Sequence, residues 1–186
     1  MKEGIVLTGF MGTGKTSAGK LIAEMLHLDF IDIDEEIKKR CSMSISAIFE
    51  NYGEKYFRKL ESDMVREIFS LDNYVISTGG GIVLNFNNMR LLRERGTVLW
   101  LKASFNTILH HLKKEKPLMI DRPLLRTANM PKRIEQLMQE REPYYAGSCD
   151  YMIRIDGMSL LEVTHECIHI YRNGGMEENG KYTLQA

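Results

Sequence analysis

Short apolar runs alternate with helix-period stretches along this chain, and the alternation predicts five strands separated by helices. Ile5-Val6-Leu7 is the first, a buried strand, and Ala18, Leu21, Ile22 and Met25 then recur at i, i+3, i+4 and i+7 as an amphipathic helix ending near His27. Phe30 to Asp34 reads as the second strand. Residues 44–52 read as a short helix stopped by Gly53, and Phe57, Leu60, Met64, Ile68 and Leu71 stripe a longer helix after it. Tyr74 to Thr78, Val98 to Leu101 and Met152 to Ile155 supply three more strands, with the fourth of the five, apolar throughout, expected at the centre. Helices fit between them: 86–95 with Met89, Leu91 and Leu92 inward and Gly96 as cap, a stretch carrying Phe105, Ile108, Leu109 and Leu112, and 131–142 with Ile134, Leu137 and Met138 inward. Leu160, Val163, Cys167 and Ile170 support a last helix. Strands that alternate with helices imply an α/β fold of three layers, a parallel sheet covered by helices on both faces.

Composition narrows the setting. Apolar residues at 44% and charged residues at 27% are ordinary for a soluble globular domain. Lys+Arg and Asp+Glu both total 25, so the balance argues against a broad nucleic-acid footprint. Three widely spaced cysteines without a C-x-x-C suit a reducing, cytoplasmic compartment. No apolar run approaches the ~20 residues that span a bilayer, and a glycine-rich loop interrupts the N-terminal apolar stretch before it could act as a signal peptide.

That loop, Gly9-Phe10-Met11-Gly12-Thr13-Gly14-Lys15-Thr16, fits G-x-x-x-x-G-K-[ST] between a strand and a helix, the setting of a phosphate-binding loop. Its backbone N–H groups and the helix dipole converge on one anion site; Lys15 reaches the β/γ-phosphates and the Thr16 hydroxyl ligates Mg²⁺. Asp32 and Asp34 stand at i and i+2, which on a strand turns both to one side. There one acid can orient Mg²⁺ or its waters while the other accepts a proton from a substrate hydroxyl. Asp34-Glu35-Glu36 ahead of Lys38-Lys39-Arg40 equally suits a helix N-terminus. Arg58 and Glu61 are i, i+3 neighbours, either a surface ion pair or an acid holding a guanidinium toward a substrate carboxylate. Gly79-Gly80-Gly81 costs backbone entropy and suits a close approach at the end of the third strand. Lys113 to Asn129, with Pro117, Pro123, Arg122 and Arg126, reads as a lid that brings Arg122 to the transferring group. Arg141 lies on the apolar stripe of Ile134 and Leu137, so it needs a partner, a structural acid or a bound anion. His110 and His111 diverge on their helix, a poor metal pair and a better fit to solvent or a nucleotide edge.

This set closely resembles shikimate kinase, from about residue 4 to about residue 172. The phosphate loop at 9–16, Asp32-Ile33-Asp34 as D-x-D, Phe57-Arg58-Lys59-Leu60-Glu61 as F-R-x-x-E, Gly79-Gly80-Gly81-Ile82-Val83 as G-G-G-x-V, Arg122-Pro123-Leu124-Leu125 in the lid and Arg141-Glu142-Pro143-Tyr144-Tyr145 as R-x-P-x-Y follow in the family's order. The resemblance implies a P-loop NTPase fold with sheet order 2-3-1-4-5. It implies one domain over 1–172, with a substrate-binding subregion at about 33–61 and a lid at about 113–129; from Asn173 on, a Gly-, Asn- and Glu-rich stretch without periodicity reads as a flexible tail at 173–186. It implies transfer of the γ-phosphoryl of ATP to the 3-hydroxyl of shikimate in chorismate and aromatic amino-acid biosynthesis. Arg58 and Arg141 would then clamp the substrate carboxylate, Asp34 would bind the ring hydroxyls and orient or deprotonate the nucleophile, and Glu61 with Gly79, Gly80 and Gly81 would complete the substrate site. Gly12, Thr13, Gly14, Lys15, Thr16, Ser17 and Arg122 would hold ATP, with Lys15, Arg122 and Asp34 as the catalytic set and Thr16 and Asp32 at Mg²⁺. The expected protein is a cytoplasmic monomer acting on shikimate, with no nucleic-acid or membrane partner. The family usually has an arginine near His110-His111, and none stands in Asp156-Gly157-Met158-Ser159, so weaker stacking on adenine is expected. The alternatives are another small-molecule kinase such as a gluconate kinase, or a non-catalytic relative. A GTPase would carry N-K-x-D, which does not occur.

Overall fold

A computed structural model of the chain describes residues 4–114, 123–125 and 129–174. Five strands, β1 (Gly4–Thr8), β2 (Asp29–Asp32), β3 (Tyr74–Ser77), β4 (Gly96–Lys102) and β5 (Tyr151–Arg154), form one parallel sheet in the order β2-β3-β1-β4-β5. The helices are α1 (Lys15–Leu26), α2 (Ile33–Cys41), α3 (Ile45–Ile68), α4 (Phe86–Arg95), α5 (Phe105–Lys114), α6 (Met130–Ser148) and α7 (Leu160–Asn173). Parallel neighbours require crossovers, and each crossover here carries helix, so both faces of the sheet are covered.

The period of two along each strand divides the core. Ile5 and Leu7 of β1, Val75 of β3 and Leu99 and Leu101 of β4 face a layer built from α1, α5, α7 and the first half of α6. Val6, Tyr74, Ile76, Val98 and Trp100 face the opposite layer, with Ile37, Ile48, Phe57, Met64 and Met89 from α2, α3 and α4. β1 therefore lies at the centre, and β4 is flanked by β1 and β5, one place off the expected central position. Leu99 is fully buried in the α1/α7 layer. Leu99→Ala should cost about 2–5 kcal/mol in urea unfolding through lost burial and a residual cavity. A loss below about 1 kcal/mol would mean that this layer closes over the gap.

Several expectations shift once the layers are in place. Ala18 and Ile22 of α1 are buried as expected, but Gly19 and Ala23 complete the inward face and Met25 is exposed, because the helix packs closely on the sheet and on α7 through its small residues. Leu71 lies past the end of α3 and Leu160 at the first turn of α7, both exposed. Gly53 breaks α3 in two with φ 80 and ψ 166, as its sequence suggests. Gly96 caps α4 as expected, its N–H donating to Leu92 O, and with its extended backbone it also begins β4. α6 runs through Pro143 to Ser148. Proline removes one backbone bond, yet burial of Tyr145 beyond it, stacked on Trp100 at 5.6 Å between ring centroids, holds the last turns in place. No described helix is long and apolar enough to cross a membrane. The expected tail lies, beyond Gly174, outside the described residues.

Candidate active site

The C-terminal ends of β1, β2 and β3 open into one cavity of about 360 Å³, lined from the phosphate loop, α2, α3, the turn after β3 and α6. An open parallel sheet places ligands at this edge. Sheet order is what gathers the site, since β2 and β1 both flank β3.

The phosphate loop keeps its shape through backbone that only glycine adopts freely: Gly9, Gly12 and Gly14 have φ of 144, 80 and 77. Lys15 Nζ donates to Gly9 O at 2.9 Å and Phe10 O at 2.8 Å, closing the loop under its own side chain. Gly12, Gly14, Lys15, Thr16 and Ser17 line the cavity. Thr13 is turned inward, and its hydroxyl donates to Phe10 O at 2.9 Å as a brace of the loop. His111 of α5 meets the loop from behind, its Nδ1 2.8 Å from Gly12 O; His110 has no such contact among the described hydrogen bonds.

β2 ends one residue after Ile31. The Asp32 carboxylate takes hydrogen bonds from the Asp34 and Glu35 amides at 3.1 and 3.2 Å and so caps α2. Asp34 consequently stands in the first turn of a helix, and the expectation that a strand turns Asp32 and Asp34 to one face is overturned by this cap. Both acids reach the cavity all the same. The second oxygen of Asp32 accepts from the Thr16 hydroxyl at 2.7 Å, and Ser77 Oγ lies 3.4 Å from Thr16 Oγ1.

Asp34 Oδ1 is shut off from solvent and finds no hydrogen-bond partner among the described residues, and the same is true of Glu61 Oε1. Both oxygens crowd the α-carbon of Gly79, where a β-carbon would lie 2.6 Å from Asp34 Oδ1 and 2.9 Å from Glu61 Oε1. Burial first, then the negative charge of Glu61 and Asp32, pushes the Asp34 carboxyl up to about 7 against the pull of Lys15 and Arg58. Glu61 is also raised by burial, opposed by Arg58 and Arg141. Its Oε2 accepts from Arg58 Nη1 at 2.6 Å, while Glu54 takes Nε and Nη2 of the same guanidinium at 3.2 and 2.7 Å. A β-carbon on Gly81 would come within 2.4 Å of that guanidinium. The triple glycine is thus the clearance that lets two carboxylates and a cation close on one turn.

Arg141 is 4% exposed, and Nη1 donates to Gly80 O at 2.9 Å. Tyr145, one turn further along α6, donates its hydroxyl to the same carbonyl at 2.6 Å. No carboxylate pairs with Arg141 among the described residues. Of the two partners its inward position called for, a structural acid is therefore not what this turn supplies; the guanidinium bonds Gly80 O and the Tyr145 side chain and lines the cavity, where an anion is the charged partner left to it. Lys15, Arg58, Arg141, Asp32, Asp34 and Glu61 are brought together here; Arg122 and the greater part of 113–129 lie outside the described residues, though Pro123 and Leu124 line the cavity. Ser77 is a site residue that the sequence did not single out, and Tyr145 stood in it only as the last position of R-x-P-x-Y, with no role attached. For Tyr145 a signal existed, its i+4 spacing from Arg141 on one helix face.

A family model for shikimate kinase matches residues 11–172. A shikimate kinase of Caldanaerobacter subterraneus subsp. tengcongensis is 47% identical over 169 residues, which cover 91% of this chain and 96% of that one. Another, of Thermodesulfovibrio yellowstonii, is 44% identical over 91% of this chain and 95% of its own length. Among solved structures, a shikimate kinase from Acinetobacter baumannii in complex with shikimate superposes with a TM-score of 0.87 at 29% identity, covering 95% of this chain and 97% of that one. A gluconokinase from Sinorhizobium meliloti, at 16% identity and a TM-score of 0.59 over 92% of this chain and 95% of its own, shares the fold alone.

Proposed function

This chain belongs to the shikimate kinase family, and we propose that its cavity carries the γ-phosphoryl of ATP to the 3-hydroxyl of shikimate through the residues just described. It is an ATP-dependent kinase. The observation that carries the acceptor assignment is the placement of two guanidiniums, Arg58 and Arg141, in the same cavity as a phosphate loop and a carboxylate poised near neutrality.

The loop amides from Gly12 to Ser17 take the β- and γ-phosphates, and Lys15 exchanges loop carbonyls for phosphate oxygens. Arg58, held by Glu54 and Glu61, and Arg141, held by Gly80, receive the shikimate carboxylate, so the ring is oriented before any bond changes. Asp34 accepts the hydrogen bond of the attacking hydroxyl, fixes its direction and takes its proton as the new phosphorus–oxygen bond forms and the bond from the γ-phosphorus to the bridging oxygen breaks, releasing ADP. Residues 33–61, which supply Asp34, Phe49, Phe57 and Arg58 to the wall, are the substrate-binding subregion. Thr16 and Asp32 offer hard oxygen donors side by side, a set that fits Mg²⁺ held through few protein ligands and phosphate. Mg²⁺, when bound, neutralises charge on the phosphates.

The test is an ADP-release assay with MgATP and, in turn, shikimate, gluconate, a nucleoside monophosphate and no acceptor. Turnover that depends on shikimate alone is expected. Turnover with gluconate and none with shikimate would overturn the acceptor, and silence with all of them would overturn catalysis.

A further inference from the structure

We propose that Tyr145 is a positioning residue for the acceptor: its hydroxyl fixes the Gly80 peptide and thereby sets Arg141 for the acceptor carboxylate. The inference rests on the acceptor reading above, and nothing in that reading uses Tyr145.

Three consecutive glycines leave a turn with the greatest backbone freedom available to a chain. Its flanking carbonyls are occupied from within the turn, Gly79 O by Ile82 N at 3.2 Å and Gly81 O by Leu84 N at 3.1 Å. The carbonyl between them, Gly80 O, takes both of its hydrogen bonds from α6: Tyr145 Oη at 2.6 Å and Arg141 Nη1 at 2.9 Å. A carbonyl oxygen has two lone pairs, so these two donors fill it.

The two donors are not equal. Arg141 uses the carbonyl to hold one corner of its guanidinium, leaving the remaining N–H groups directed by that anchor. The tyrosine is the stiffer of the two. Its ring stacks on Trp100 of β4 at 5.6 Å and 14° between planes, and only 2% of the residue is exposed. Burial raises the phenol well above its usual range, so it remains a donor throughout the working pH. The central sheet therefore sets the tyrosine, and the tyrosine sets the cation both through the Gly80 carbonyl and through its own bond to the guanidinium. Gly80 also abuts the phosphate loop, where a β-carbon on it would lie 3.3 Å from Met11 N and 3.4 Å from Gly9 O. A peptide rotated out of place would thus be felt on the acceptor side of the cavity first, since only that side reads the Arg141 fork.

Tyr145→Phe keeps the ring, the stack and the buried volume and removes the one oxygen. The experiment compares wild type with Tyr145→Phe for kcat, KM for shikimate and KM for ATP. It also titrates shikimate directly by the fluorescence of Trp100, the single tryptophan of the chain. The expected result is a rise of about tenfold in both KM and the fluorescence Kd for shikimate, the loss of about one hydrogen bond to a charge-anchoring group, with KM for ATP and kcat within about twofold. A second comparison, Tyr145→Phe made in Arg141→Lys, should add little further, because the cation it positions has already lost its fork. An unchanged shikimate Kd in Tyr145→Phe overturns the inference. So does an equal fall in both substrates' affinities with a lowered melting temperature, which is what a purely structural tyrosine would do. A wild type that neither turns over nor binds shikimate would instead overturn the acceptor reading itself.

Discussion

Asp34→Asn should lower kcat with shikimate by about 10²–10⁴, the usual worth of a positioned general base, and should at the same time make the free protein more stable at alkaline pH. The two effects have one cause. Asp34 Oδ1 is buried without a hydrogen-bond partner among the described residues, faces Glu61 across Gly79, and its carboxyl is pushed up to about 7 by burial and by its acidic neighbours. An acid of that kind is half ionised near neutrality, where a base accepts a proton most effectively. In the pH profile of kcat/KM the acid limb should therefore have its midpoint near 7 and should be absent from whatever activity Asp34→Asn retains. The stability effect has the opposite dependence. The native state binds this proton more tightly than the unfolded chain, whose value is 3.8, so ionised Asp34 penalises folding. The penalty is absent below about pH 4, grows as pH rises toward 7 and is full above it, up to about 4 kcal/mol on the scale of 1.36 kcal/mol per unit. Asparagine has the same shape and no charge to bury. Its melting temperature should exceed that of wild type by several degrees at pH 8, and the gap should shrink toward pH 5. A gap that is the same at both pH values would mean that Asp34 is not held above its ordinary range.

Arg141→Ala should raise KM for shikimate by about 10² or more while leaving the melting temperature within a few degrees. Truncating one member of a buried charge pair costs about 2–5 kcal/mol of binding, because the partner charge is left uncompensated. In the free protein the balance differs. Arg141 has a carbonyl and no carboxylate as its partner among the described residues, and burial lowers its affinity for its own proton. A buried cation so paired contributes little to stability, and Gly80 O would keep its bond from Tyr145. Arg141→Lys should restore less than a tenth of the lost affinity, since one ammonium cannot both hold Gly80 O and meet a carboxylate with two parallel hydrogen bonds. Unaltered KM in Arg141→Ala would remove this residue from the acceptor clamp, and a collapse of stability would mean that its main work is structural.

Much of this protein is determined by the sequence alone, because the relevant forces act between residues two to four apart. Ile5-Val6-Leu7 followed by the glycine loop and the stripe of Ala18 and Ile22 specifies strand, anion site and helix without reference to the rest of the chain. Gly53 stops a helix wherever the surrounding fold puts it, since its φ of 80 is a local property. Arg141 announced its inward position by falling on the spacing of Ile134 and Leu137. Resemblance of ordered motifs, and not periodicity, carried the sheet order, because strand adjacency is a contact between segments far apart in sequence.

The tertiary structure alone decided what those inward groups meet. β2 ends at Asp32 because its carboxylate caps the next helix, which moves Asp34 from a strand to a helix and turns it toward Glu61, 27 residues away. The three glycines read as a close approach, but only the fold shows that Asp34 and Glu61 close on Gly79 and Arg58 on Gly81. Tyr145 looks locally like any aromatic at a helix end, and its partners, Trp100 and Gly80, lie 45 and 65 residues earlier. Local pattern fixes which way a side chain faces. The charge, pKa and hydrogen bonds it acquires there belong to whatever the packed sheet brings opposite it, and burial makes those long-range neighbours dominate.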